Sequence, residues 1–313
     1  MSPVPVLIAA ELRELLGDAA LAGLDVTWIR ADERTPAGDW VAVVPLLSRW
    51  MGGTEFKGLP QLRVVANCAV GYNNVDLVAA EMRRIVVTNT PDVLTSATAD
   101  LTWALILACA RRVLAGVELV RSGSWAGWHP QLLLGMELEG ATLGIVGAGR
   151  IGQAVGRRGT GFGMRIRYAD RKALPEFERT TGATRLELKP LLRESDVVTL
   201  HVPSSPETRG MIGPENLALM KPGAILVNTA RGDLVREEAV AVALEEGRLG
   251  AAGLDVFTDE PAIHPRLVAA PRTVLLPHLG SATLPTRRRM AETAVANVQA
   301  VLAGRPPLTP VVP

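Results

Sequence analysis

Cysteine is nearly missing from this chain: Cys68 and Cys109 are the two among 313 residues. Both sit in aliphatic runs and neither belongs to a CxxC pair, which excludes a disulfide framework and a thiol redox motif. Buried thiols in a reducing cytoplasm are the expectation. Histidine is also scarce. His129, His201, His264 and His278 form no HxxxH spacing and no Cys/His cluster, so no metal site is expected. Net charge almost cancels: 33 Lys and Arg face 32 Asp and Glu, leaving a formal +1. No strong field therefore favours nucleic acid or an anionic membrane. Long apolar runs are absent as well. LTWALILACA (101–110) has ten residues, whereas a membrane span needs about 20; it reads as a buried helix. The N-terminal MSPVPVLIAAELRE has no basic stretch, and Glu11 interrupts its apolar run. It reads as a first strand rather than a signal peptide. There is no short-period repeat and no low-complexity segment.

What is present is alternation. Hydrophobic residues make up 48% and charged residues 21%, the balance of a globular protein, and the length suits two domains of about 100–200 residues each. Strand-like runs PVLIA (5–9), DVTWI (25–29), VAVVP (41–45), LRVVAN (62–67) and IVVTNT (85–90) have helical patterns between them. One long helical pattern covers 95–120, and an irregular Gly- and Trp-containing stretch covers 121–140. A second strand series follows: ATLGIVG (141–147), RIRYAD (165–170), DVVTLHV (196–202), AILVNTA (224–230), AAGLDVF (251–257) and TVLLPH (273–278). A last helical pattern runs over 284–304. This order predicts α/β architecture, with two doubly wound parallel-sheet domains covered by helices on both faces. We expect the last helix to return to the first sheet. That makes 1–95 plus 284–313 a discontinuous substrate domain and 96–283 a dinucleotide-binding Rossmann domain.

GIVGAGRIG (144–152) holds GxGxxG as Gly147, Gly149 and Gly152, between a strand and a helical pattern. That context is what a dinucleotide turn requires. Gly147 permits the tight turn, Gly149 lets backbone approach a pyrophosphate, and Gly152 lets the helix pack on the strand. The N–H groups from Ala148 through Arg150 to Ile151 are expected to face the phosphates. Asp170 ends the next strand, 18 residues beyond Gly152, close to the ~20 expected for the acid that holds the adenosine ribose. A carboxylate there favours NAD; Arg171 and Lys172 beside it leave NADP open.

Three later segments, NTARGDLV (228–235), LDVFTDEP (254–261) and LLPHLGSAT (275–283), place unusual polar residues at strand ends. Open α/β sheets gather ligands at those ends, so Arg231, Glu260 and His278 can meet. Reducing a 2-keto acid needs a hydride, a proton for the forming alkoxide and an anchor for the carboxylate. His278 is the natural proton donor, Glu260 orients it and favours its charged form, and Arg231 offers a planar fork to the carboxylate. Reduction should then weaken as pH rises.

At VANCAVGYNNVDL, VTNTPDVLTSATADL, LGIVGAGRIG, LHVPSSPETRGMI, LMKPGAILVNTARGDLV, AAGLDVFTDEP and LPHLGSAT, the chain resembles the D-2-hydroxyacid dehydrogenase family and its glyoxylate/hydroxypyruvate reductase branch. The resemblance runs nearly the full length. It implies a flavodoxin-like substrate domain beside the Rossmann domain, a homodimer, and an active site between the two domains. It implies that the Val70 and Gly71 backbone and Arg231 bind the substrate carboxylate, and that Glu260 and His278 form the acid–base pair. On the cofactor it implies Thr98 at the phosphates, Val202 and Pro203 at the adenine side, and Ala230 and Asp255 near the carboxamide. Thr208, Thr229, His278 and Gly280 are further expected contacts. The 95–120 helix and the arm with Trp125 and Trp128 would help form the dimer. Asn74 departs from the acidic residue of many members. The chain also lacks the C-terminal extension of many phosphoglycerate dehydrogenases. D-3-phosphoglycerate dehydrogenase remains the enzyme alternative, with Arg49 and Lys57 as phosphate candidates; a non-enzymatic NAD-sensing scaffold is the minor one.

Overall fold

A computed structural model describes residues 3–311. It divides into two compact units, Met1–Leu94 with Ser281–Pro313, and Thr95–Gly280. Among the described residues no helix is long and apolar enough to cross a membrane.

The first unit is built on β1 (Val4–Ala9), β2 (Leu24–Ile29), β3 (Ala42–Val44), β4 (Val64–Ala66) and β5 (Val86–Thr88). All pair in parallel in the order β2-β1-β3-β4-β5, the flavodoxin-like arrangement. The short central strands are aliphatic on both sides because both faces are covered. Helices α1 (Gly53–Lys57) and α2 (Leu77–Met82) supply residues to one face, where Phe56 and Ala80 join Leu7, Val43 and Val65. The other face is closed by α11 (Leu284–Leu302). Met290, Ala291, Ala294, Val295, Val298 and Val301 recur at helical spacing and cluster with Val6, Ile8, Val44 and Val64. Thr283 caps this helix, Pro285 occupies its first turn, and Gly304 at φ 69° follows its end.

The second unit carries seven parallel strands: β6 (Thr142–Val146), β7 (Arg165–Ala169), β8 (Thr184–Arg185), β9 (Val197–Leu200), β10 (Ala224–Asn228), β11 (Leu249–Leu254) and β12 (Thr273–Leu275). Their order is β12-β11-β10-β9-β6-β7-β8, a Rossmann sheet with one strand added. The strand order reverses between β6 and β9, which pair in parallel, and this makes a crevice beyond their C-terminal ends. Helix α5 (Arg150–Gly161) follows β6, α6 (Pro175–Thr181) precedes β8, α7 (Leu188–Glu194) precedes β9, α8 (Pro214–Leu217) precedes β10, α9 (Glu237–Glu245) lies between β10 and β11, and α10 (Pro265–Ala269) precedes β12.

The long helix expected over 95–120 is two helices. α3 (Thr95–Ala110) is buried and apolar nearly all round, and packs on α5 and on β10–β12. α4 (Val113–Arg121) is separate and presents Val113, Leu114, Val117 and Val120 to solvent. The break is at Arg112, which takes the left-handed conformation at φ 53° and ends the hydrogen-bond ladder. Strand β8 had no counterpart in the sequence reading. Both cysteines are free and buried, and burial pushes each thiol up to about 12.

Candidate active site

At the reversal, the glycine turn has the geometry its three positions require. Gly147 has φ 89°, and a Cβ there would lie 2.7 Å from the His201 carbonyl carbon. At Gly152 a Cβ would lie 2.2 Å from the Gly147 oxygen, so α5 sits directly on the turn only because the side chain is missing. Gly149, the N-cap of α5, is different: a Cβ there meets nothing within 4 Å. No protein atom explains that glycine. Open space at a helix N-terminus, where N–H groups lack helical partners, fits a pyrophosphate.

Asp170 closes this site from the end of β7. One of its oxygens, Oδ2, accepts the Ala148 N–H at 2.9 Å, and Oδ1 accepts the Lys172 N–H at 3.3 Å. The Ala148 amide is thus directed to Asp170 and fixes its carboxylate beside the turn. Arg150 and Ile151 open the helix as expected. Arg185 of β8, which sequence reasoning missed, donates to the Asp170 and Arg171 carbonyls at 2.9 and 3.3 Å. Thr208 Oγ1 donates to the Pro203 carbonyl at 2.8 Å and shapes the loop after Val202. His201 joins its Nε2 to Thr199 Oγ1 at 2.9 Å, and burial pushes its imidazole down to about 3.

The other half of the edge is made by side chains. Beyond β10, buried Asn228 accepts the Ala230 N–H at 3.0 Å and donates to the Arg231 carbonyl at 2.7 Å, a local ring that aims Arg231. Arg231 Nη1 donates to the Ala230 carbonyl at 2.6 Å. Burial pushes its guanidinium down from the ordinary range, opposed by the charges of Glu260 and Asp233. At Gly232 a Cβ would fall 1.9 Å from the Phe257 carbonyl carbon, so the Arg231 turn rests directly on the backbone after β11.

Beyond β11, Glu260 Oε1 accepts the Phe257 N–H at 2.9 Å, and Oε2 lies 2.8 Å from His278 Nδ1. Burial raises the Glu260 carboxyl, but the His278 and Phe257 hydrogen bonds and the charges of His278 and Arg231 outweigh it, and the net direction is down. Glu260 is thus an ionised acceptor, so His278 Nδ1 is the donor between them. Nε2 is left as the atom that can carry a proton to a substrate.

His278 itself is at φ 56°, a conformation uncommon for a residue with a side chain. Asp255 holds it there. The Asp255 carbonyl accepts the His278 N–H at 2.9 Å, Oδ1 accepts the Leu279 N–H at 2.7 Å, and Oδ2 accepts the Gly280 N–H at 2.8 Å. Burial raises this carboxyl against those amides. Thr98 Oγ1 donates to the Gly280 carbonyl at 3.0 Å, and Thr229 Oγ1 pairs with Thr102 Oγ1 at 2.9 Å. Both hydroxyls therefore brace strand-end loops. His264 and His129 are exposed and apart from this cluster.

In the first unit, the Val70–Gly71 turn is held by two amides. Asn89 Nδ2 donates to the Val70 carbonyl at 2.7 Å, and Asn67 Nδ2 donates to the Gly71 carbonyl at 2.8 Å. Asn74, the departure from an acidic residue, is buried and exchanges amide hydrogen bonds with Asn67 at 3.0 and 3.2 Å. Arg49 is buried, and its guanidinium donates to the Glu33 and Arg30 carbonyls and to Thr35 Oγ1.

A glycine turn shaped for a dinucleotide, on one sheet edge with an imidazole–carboxylate pair and a buried guanidinium, defines a nucleotide-dependent oxidoreductase acting on a carboxylate-bearing substrate. Residues 103–280 match the family described as D-isomer specific 2-hydroxyacid dehydrogenase, NAD binding domain. A glyoxylate reductase of Thermococcus onnurineus is 50% identical over 272 residues, 86% of this chain and 81% of that protein. A crystal structure of a Thermus thermophilus protein has a TM-score of 0.89 at 45% identity, covering 99% of this chain and 100% of that one. An NADPH-dependent glyoxylate/hydroxypyruvate reductase from Sinorhizobium meliloti, crystallised with NADP and malonate, has a TM-score of 0.88 at 32% identity, covering 99% of this chain and 97% of that one. The chain belongs to the D-isomer specific 2-hydroxyacid dehydrogenase family.

Proposed function

We propose that this protein reduces glyoxylate, hydroxypyruvate or a similarly short 2-keto acid to the D-2-hydroxy acid, using NAD(P)H. The observation that carries this is the Glu260–His278 pair at 2.8 Å on the same sheet edge as Arg231 and the open Gly149 turn. When bound, the dihydronicotinamide supplies the hydride. Arg231 receives the substrate carboxylate through two parallel hydrogen bonds. His278 Nε2 delivers the proton to the C2 carbonyl oxygen as the alcohol forms. Glu260 stays ionised and stabilises the imidazolium before transfer, the role of an orienting carboxylate in acid–base catalysis. We assign the Val70 and Gly71 backbone to carboxylate binding as well; Asn67 and Asn89 support that assignment by fixing the turn.

NADH is the proposed preferred reductant, because the fixed Asp170 carboxylate suits ribose hydroxyls and repels a 2′-phosphate. Arg49, one of the two cations available to a D-3-phosphoglycerate substrate, has its guanidinium engaged by the 30–35 loop, which supports the short-acid reading. We further propose a cytoplasmic homodimer. Exposed Val113, Leu114, Val117, Val120, Trp125, Trp128 and Leu134 on α4 and the 121–140 arm support the assembly. The free buried thiols support the compartment.

The deciding assay mixes the protein with NADH or NADPH and a panel of 2-keto acids that includes phosphohydroxypyruvate, and follows loss of reduced-cofactor absorbance. Glyoxylate or hydroxypyruvate is expected to be turned over. No turnover with any member overturns the reading.

A further inference from the structure

We propose that Glu237 is a positioning residue for the acid–base pair: its carboxylate holds both ends of the loop that carries Glu260, and so sets where Glu260 meets His278. This rests on the reading of Glu260 and His278 as the acid–base pair.

Glu237 is the first residue of α9 and is only 9% exposed, unusual for a carboxylate in a helix's first turn. It faces the segment after β11. Its Oε1 accepts the Thr258 N–H at 2.7 Å, and its Oε2 accepts the His264 N–H at 3.0 Å. Between those two amides the chain makes a tight turn, closed by the Ala262 N–H on the Asp259 carbonyl at 2.9 Å. Glu260 lies inside that turn. It accepts the Phe257 N–H through Oε1, which leaves Oε2 for His278. One buried carboxylate therefore fixes both ends of a loop whose side chain is another carboxylate. Both oxygens face N–H donors, whereas a glutamine offers one acceptor and sets its own NH2 against the second donor.

The test compares Glu237→Gln, Glu260→Gln and the double variant with wild type. Steady-state kinetics with NADH and the best 2-keto acid are combined with NADH binding by fluorescence and hydrogen exchange of the 257–264 segment. Glu237→Gln is expected to lower kcat by about tenfold or more, with KM and the NADH Kd changed by less than about twofold. Exchange of the 257–264 segment should accelerate. In the Glu260→Gln background, adding Glu237→Gln should change kcat by less than about twofold, because the positioned group is already lost. An equal fold loss in both backgrounds assigns Glu237 a general structural role and overturns the proposal. So does an unchanged kcat, or a segment that stays protected. A wild-type protein that reduces no 2-keto acid removes the underlying reading instead. Exchange, which needs no turnover, then still decides whether Glu237 holds the loop.

Discussion

The two halves of the second unit's active edge are made from opposite materials. Beyond β6, the work is done by side chains that are missing: Gly147 and Gly152 let backbone touch backbone, and Gly149 leaves room. Beyond β10, β11 and β12, it is done by side chains that are present and mutually braced: Asn228 under Arg231, Asp255 under His278, and Glu260 between them. A phosphate is met by many equivalent N–H groups, so a bare turn suffices. A proton has to pass between two particular atoms, and that needs rigid support from several elements.

That contrast can be broken experimentally. The largest effect is expected at the braced end. His278→Ala should lower kcat by about 10²–10⁴-fold, the usual worth of a positioned acid, with a much smaller change in KM; an active variant removes His278 from the proton-donor role. At the bare end, Gly152→Ala and Gly149→Ala should separate. Gly152→Ala forces α5 off the turn, so both thermal stability, by about 1–3 kcal/mol, and NADH affinity should fall. Gly149→Ala should weaken NADH binding while costing the apo-protein less than about 1 kcal/mol. Paired calorimetry and cofactor titrations check this, and equal destabilisation by the two would show that Gly149 is structural.

A smaller effect is expected beyond β7, on the outer side of the glycine turn. Asp170→Ala should shift the NADH-to-NADPH ratio of kcat/KM toward NADPH by about tenfold, the scale of one charge-assisted hydrogen bond. An unchanged ratio would move discrimination to Arg171, Lys172 or Arg185. The last effect bears on stability rather than activity and concerns His201. Its folded value of about 3 lies below the unfolded one near 6.5, so the unfolded chain takes up the proton first. The associated stability is complete above pH 6.5 and is lost as pH falls, at about 1.4 kcal/mol per unit once the unfolded imidazole is charged. Urea melts of wild type and His201→Gln between pH 7 and 5 measure the difference. The same slope in both would assign the acid sensitivity elsewhere.

Sequence reading reached the two halves unequally. The glycine turn lies in nine consecutive residues, and the spacing alone carried its geometry. Arg231, Glu260 and His278 were legible as residue types at strand ends, because a parallel sheet gathers such ends wherever they fall in the chain. Their braces were not. Asn228 looks like any strand-terminal amide, and Glu237 like an ordinary helix-opening glutamate, until the loop after β11 is placed on top of it. The Arg112 break was invisible because arginine has no preference for the left-handed region. Strand β8 was invisible because its two exposed residues carry no alternation. The strand series and the α/β class came through because buried parallel strands must be aliphatic on both faces.

The position of α11 in the chain also sets a timetable. A ribosome releases residues in order, at roughly 5–20 per second. β1–β5 emerge first, yet the helix that covers Val6, Ile8, Val44 and Val64 comes almost last. For roughly 10–40 s at that rate, the nascent first sheet carries an uncovered aliphatic face while the whole second unit is being made. A chaperone that shields apolar surface has its longest opportunity on this protein in that interval.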